Sequence, residues 1–213
     1  MAAAVATAVR RDRQSATNTI INAGTSAGVV FSGPVALLMG GQWRLAFACF
    51  AVAAFVMAVV AALSVPSGTK ATQVSGGLPP FNSVIMRLIA AAFLMGASST
   101  AIWSFGGKLV ALQLSWDNTG AGLLWIAIGA AGIVGAGAGT LVARFGIDRV
   151  HWLFLGGLAA GILLVGTSAT TPLLAIVGGI LFGAAYIMVT GVYLVWGVTA
   201  LPDRPATGLM IGF

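Results

Sequence analysis

Charge is what this sequence most lacks. Only 7% of its 213 residues are charged, and acids account for just four of them: Asp12, Asp117, Asp148 and Asp203. A chain that is 59% hydrophobic with so few charges has too little polar surface to dissolve as a globular domain. Cysteine is almost missing as well. Cys49 stands alone, so an internal disulfide is excluded, and its apolar surroundings carry no redox signal. Histidine occurs once, as His151, and tyrosine twice, as Tyr186 and Tyr193. Nothing in this inventory calls for a cofactor or a metal. The net charge of +6 would suit nucleic acid if the cations formed one patch. They stand instead in short clusters between apolar runs, so nucleic acid is not an expected partner. The N-terminal MAAAVATAVRRDR carries its charges after its apolar stretch, the reverse of a secretory signal. It reads as the tail of a helix leaving a membrane.

What is abundant points to lipid as the solvent. Mean hydropathy is +1.05, and 30 glycines fit membrane helices better than soluble ones. Six runs are long enough to cross about 30 Å of hydrocarbon at about 1.5 Å per residue. They cover 18–39, 44–64, 82–105, 118–142, 150–168 and 172–198, and a seventh starts near Pro205. Pro80, Pro172 and Pro205 stand at first-turn positions, and Asp117 is placed to cap the fourth run. A membrane barrel would show short alternating segments, so the expected fold is an all-α polytopic bundle.

The cations alternate between the connections. Arg10, Arg11, Arg13, Lys70, Arg144, Arg149 and Arg204 fall on one side, and Arg44 and Lys108 on the other. Arg87, just inside its helix, reaches toward the first side by snorkelling. That bias makes the first side cytoplasmic. Residues 64–80, SVPSGTKATQVSGGLPP, read as a flexible linker. Small residues recur at a spacing of four at Ala127, Ala131, Gly135 and Gly139, at Gly157 and Gly161, at Gly179 and Gly183, and at Gly24 and Gly28. Such ridges let helices approach closely in lipid.

The segment GTLVARFGIDR then carries a resemblance. Gly139, Leu141, Arg144 and Gly146 match a cytoplasmic signature loop of the major facilitator superfamily of secondary transporters, roughly G-x-L-x-D-R-x-G-x-R. Ala143 replaces the family's acid, and Asp148 stands where a base is usual. Gly33 and Pro34, followed by Trp43 and Arg44, are similar to the family's fifth helix. The antiporter form has glycines where Val29, Leu37 and Leu38 stand, so the chain does not resemble an antiporter. The resemblance implies helices five to ten of twelve. Residues 1–64 would end a first bundle, 65–80 would link, and 81–213 would supply four helices of the second bundle and the start of the next. It implies a fragment or truncated copy that moves a small solute across a bacterial inner (plasma) membrane. Either a proton or cation gradient is coupled through helices not present, or transport is uncoupled. A drug/metabolite-type transporter and a non-catalytic membrane protein remain the alternatives.

No acid lies inside an apolar run, so the usual intramembrane proton relay is absent. The candidate cavity residues are therefore neutral. In the first span, Asn22, Thr25 and Ser26 belong to a polar stripe that either lines a cavity or bonds to neighbouring helices. In the third, Ser99, Thr100 and Trp103 either face the path or, for the hydroxyls, satisfy their own helix. Trp125 either stacks on solute or packs against glycines. In the sixth, Tyr186, Thr190 and Tyr193 share one face within about 60°. Tyr193 also suits an interfacial belt with Trp196. GTSAG, Gly24–Gly28, fits G-x-S-x-G, but that motif needs a strand-to-helix elbow, and Ser26 sits in a helix. His151 reads as a solvated or headgroup-facing loop residue, too far from Ser26 to activate it. The chain is not expected to be an enzyme.

Overall fold

The computed structural model describes residues 9–39, 41–64, 82–202 and 204–211. Helix α1 spans Arg11–Met39, α2 Trp43–Ser64, α3 Ser83–Leu114, α4 Asn118–Gly132, α5 Ala138–Phe145, α6 Ile147–Gly166, α7 Pro172–Ala200 and α8 Pro205–Ile211. No strand occurs among the described residues. Six helical stretches are long and apolar enough to cross a membrane, with α4 and α5 acting as one. The expected linker, with Lys70 and Pro80, falls outside the described residues.

Local chemistry sets the ends. The Asp117 carboxylate accepts from the backbone N–H of Thr119 at 3.0 Å and Gly120 at 3.1 Å, capping α4. Those bonds, Gly120 first, hold its pKa below the ordinary 3.8 because they favour the ionised form. Thr171 caps α7 by accepting from Leu174 N–H at 3.3 Å, with Pro172 at the first helical position. Asn82 caps α3, accepting from Ile85 N–H at 2.9 Å.

Two expected boundaries move. The third span continues past 105 to Leu114, so Lys108 lies within a helix and not in a connection. Ile102, Gly106 and Val110 face the core at a spacing of four, and that buried stripe carries the helix onward. The fourth span ends at Phe145, and its middle tightens into a 3-10 segment over Ile133–Gly137. Gly146 alone joins α5 to α6, with φ 85° and ψ 158°. That region of backbone space is open essentially to glycine, so the signature loop is a one-residue hinge.

Helix α7 is the hub. Every other described helix except α2 packs on it, whereas α2 touches only α1. Phe182, Val189 and Tyr193 of α7 meet Leu124 and Ile128 of α4, Leu158 and Val165 of α6, and Ile102 and Val110 of α3 in one core. Small residues permit this closeness. A Cβ on Gly161 would lie 2.7 Å from Phe182 N, and one on Gly183 would overlap the Ile128 carbonyl. The 157/161 and 179/183 ridges thus sit at helix contacts. The 24/28 pair meets nothing within 4 Å, and the α1 seam is built by Gly129, Gly132 and Gly139 instead. Gly135 and Gly139, on either side of the 3-10 turn's end, meet different neighbours: Gly135 meets Ile187 of α7 and Gly139 meets Ala16 of α1.

Helices α1, α3 and α6 run antiparallel to α7, whereas the α4–α5 span runs parallel to it, with Leu124 by Gly179 and Ala138 by Gly191. Ala16 lies by Gly139 and Leu37 by Gly122, while His151 and Ala91 both lie by Tyr193. This gathers Arg13, Arg87, Arg144, Arg149 and Arg204 at one end, with Arg44 and Asp117 at the other.

Candidate functional site

The polar residues of the first and sixth spans meet. Asn22 of α1 is buried, and its amide donates to the Thr190 hydroxyl of α7 at 2.7 Å and to the Ile187 carbonyl at 3.3 Å. Thr190 in turn donates to Ile187 O at 2.9 Å. A buried amide in lipid must find such partners, and the facing helix supplies them. Asn22, Thr25, Tyr186, Thr190 and Tyr193 line one cavity of about 140 Å³, closed by Met95 and Gly96 of α3. That is room for a few waters or a small solute. Its lining carries no formal charge.

Thr25 and Tyr186 also border a crevice of about 10 Å³ with Ser26 and Trp103. Aromatic rings close it. Trp103 stacks on Trp125 at 5.5 Å and meets Tyr186 edge-on at 5.2 Å and Phe182 at 5.6 Å. The Trp103 indole N–H is buried without a hydrogen-bond partner among the described residues. Trp125 thus packs on Trp103, and it also borders a groove of about 670 Å³ between α1, α2 and α4 with Trp43, Phe47 and Phe50. Ser99 is buried and donates to the Gly96 carbonyl at 3.0 Å. Thr100 is exposed, donates to the same carbonyl at 2.9 Å, and borders neither cavity. These two hydroxyls therefore satisfy their own helix.

The signature residues do structural work at the arginine-rich end. Gly139 lets α5 approach α1, since a Cβ there would stand 3.3 Å from the backbone of Ala16. Leu141 packs in a second core cluster with Val142, Val150 and Val192. The Arg144 guanidinium lies 5.2 Å from the Phe145 ring centre. Gly33 faces Ile126, whose Cγ1 would be 2.7 Å from an added Cβ, and α1 passes through Pro34 unbroken.

Two expectations are overturned here. His151 is not a solvated loop residue: it lies inside α6, half-buried, with Nε2 3.1 Å from the Tyr193 hydroxyl. Tyr193 is not an interfacial belt residue: it is 1% exposed and donates to Ala91 O at 3.3 Å. A buried phenol needs partners, and α6 and α3 provide them. The sequence holds no local trace of this pair, which is 42 residues apart. Ser26 packs against Gly132, where its hydroxyl fills the space a Cβ would take. His151 is engaged with Tyr193 elsewhere, so no serine–histidine pair exists among the described residues.

Neither a curated protein nor a solved structure matches the chain. The family profile described as Major Facilitator Superfamily matches residues 1–213. That match covers the whole chain, sets aside the drug/metabolite alternative, and agrees with the six apolar helices and the hinge at Gly146. This multi-pass integral membrane protein belongs to the Major Facilitator Superfamily of membrane transporters.

Proposed function

We propose that the cavity between α1, α3 and α7 is part of the path of a small solute. The observation that carries this reading is the Asn22–Thr190 bond of 2.7 Å in the cavity wall. It joins residues 168 apart and places polar groups of two helices around one uncharged space. Tyr186, Thr190, Tyr193, Asn22 and Thr25 are the proposed contacts. Ser26 and Trp103 border the crevice beneath, and Ser99 and Thr100 act as helix-satisfied neighbours.

Alternating access needs two bundles rocking about a central site. We assign residues 1–64 to the end of one bundle, 65–80 to the linker, and 81–213 to the other. Bare α2, which touches α1 alone, is consistent with further helices of the first bundle covering it. The chain then works as part of a larger two-bundle transporter in a bacterial inner membrane, with its arginine-rich end in the cytoplasm.

The test is uptake by cells making the complete transporter, screened with sugars, amino acids and cationic drugs. Tyr186→Phe keeps the ring and removes one hydrogen bond, worth about 0.5–1.5 kcal/mol. Apparent affinity for the transported solute should weaken from a few-fold to about tenfold, with expression unchanged. If affinity holds and only thermal stability falls, Tyr186 is packing and the path lies elsewhere. The isolated chain in liposomes should show no saturable uptake.

A further inference from the structure

His151 is the chain's only histidine, and none of the described spans holds an acid inside its apolar run. It is therefore the one group in these spans whose ordinary pKa, about 6.5, lies near physiological pH. Its hydrogen bonding has a direction. The Tyr193 phenol has one proton and two polar neighbours, the Ala91 carbonyl at 3.3 Å and His151 Nε2 at 3.1 Å. A carbonyl only accepts, so the phenol donates to Ala91. With the phenol donating to Ala91, the tautomer that satisfies both contacts has His151 donating to the phenol oxygen through Nε2–H. Nδ1 is left without a partner in the protein among the described residues.

This arrangement leaves one ring nitrogen open to a proton. A proton arriving from the arginine-rich end adds to Nδ1 and breaks no existing bond. The Nε2–H donation to Tyr193 becomes charge-assisted and stronger. Trp196 and Trp152 place their rings 6.1 and 5.5 Å from the imidazole. Asp148, one turn earlier on α6, adds an opposite charge, while half-burial opposes ionisation. The described cations at this end, which oppose a further positive charge, include Arg13 on α1, Arg149 on α6, Arg144 closing α5, Arg87 one turn before Ala91 on α3, and Arg204 before α8. From α7, only Tyr193 and the neutral Trp196 face the ring.

Tyr193 is also a wall of the cavity holding Asn22 and Thr190. We propose that His151 is a proton-binding site joined to the solute cavity through Tyr193, so that proton occupancy and cavity geometry change together. The proposal rests on the reading of that cavity as the solute path, but its test needs no solute.

One histidine and two tyrosines make the assignment unambiguous in the full chain, labelled with ring-15N histidine and 13Cζ tyrosine in lipid nanodiscs. The neutral ring should carry its proton on Nε2 and titrate at Nδ1 as the pH is lowered. Tyr193 Cζ should shift with the same midpoint, and Tyr186 Cζ, across the cavity, by a smaller amount. Both shifts should vanish in His151→Gln. Tyr193→Phe should turn the neutral ring into a mixture of tautomers. An Nδ1–H tautomer, a ring that stays neutral while the protein remains folded on acidification, or tyrosine signals indifferent to its titration would overturn the proposal. The wild-type and His151→Gln spectra decide the matter even if Tyr193→Phe does not fold. A failed Tyr186→Phe uptake test beside an intact titration would remove the solute path and keep the proton site.

Discussion

Helices α2 and α7 are the two most apolar of the bundle, and they have opposite fates. The most apolar stretch of α2 has mean hydropathy 2.7 and is 6% buried in the protein, while that of α7 has 2.2 and is 50% buried. In water the greasier helix would sit inside. In lipid, tails are as apolar as leucine, so hydropathy earns no place in the core. Shape and polarity decide instead. Helix α7 offers buried Gly178, Gly179, Gly183 and Gly191 for close approach, and Thr190 and Tyr193 for bonds between helices. Helix α2 has no glycine and no polar side chain between Arg44 and Ser64 other than Cys49. Its phenylalanines, Phe47, Phe50 and Phe55, face outward.

The contrast breaks most sharply at a glycine. Gly183→Leu puts a side chain where the Ile128 carbonyl stands, and a helix backbone cannot yield. Folded protein should disappear, read as loss of the monodisperse peak in detergent chromatography. Ala54→Leu on exposed α2 should leave that peak unchanged. Equal loss from both would mean that α2 is packed as tightly as α7.

A smaller effect follows from removing a bond between helices. Asn22→Leu deletes the donor to Thr190 and Ile187, at a cost of about 0.5–1.5 kcal/mol. The melting temperature should fall by about 1–6 °C for a chain of this size. Val56→Thr on α2 adds a hydroxyl that its own helix can satisfy, so melting should not move. A large drop for Val56→Thr would reveal a partner on that face.

The smallest expected effect lies at a cap between helices. Asp117 has a lowered pKa in the folded chain, so the folded state favours its ionised form. Its contribution is present above the ordinary value of 3.8 and is lost as pH falls through the lowered one. Asp117→Ala should lower the melting temperature slightly at pH 7, and the difference from wild type should close toward pH 2. A difference that persists at low pH would show that the carboxylate's charge is not what caps α4.

The spans were legible because continuous apolar runs broken by proline, glycine and charge leave lipid few other readings. The Asp117 cap and the Gly146 hinge were legible because each depends on near neighbours. The Tyr186–Thr190–Tyr193 face was legible from helical periodicity, and so was the polar stripe of Asn22, Thr25 and Ser26. That the two faces meet was not, because 168 residues separate Asn22 from Thr190. Thr100 was placed with Ser99 by adjacency, yet successive helix positions diverge by about 100° and it faces away from both cavities.

The sequence by itself determined the solvent, the number of candidate spans and the capping residues at several of their starts, since these follow from composition and local bonding. Only the tertiary structure decided which apolar helix is central, that His151 sits within the bundle, and that Tyr193 joins it to the cavity. Helix association in lipid has no hydrophobic gradient to follow. It rests on the fit of small residues and on hydrogen bonds between distant helices, and neither leaves a periodic mark along one chain segment.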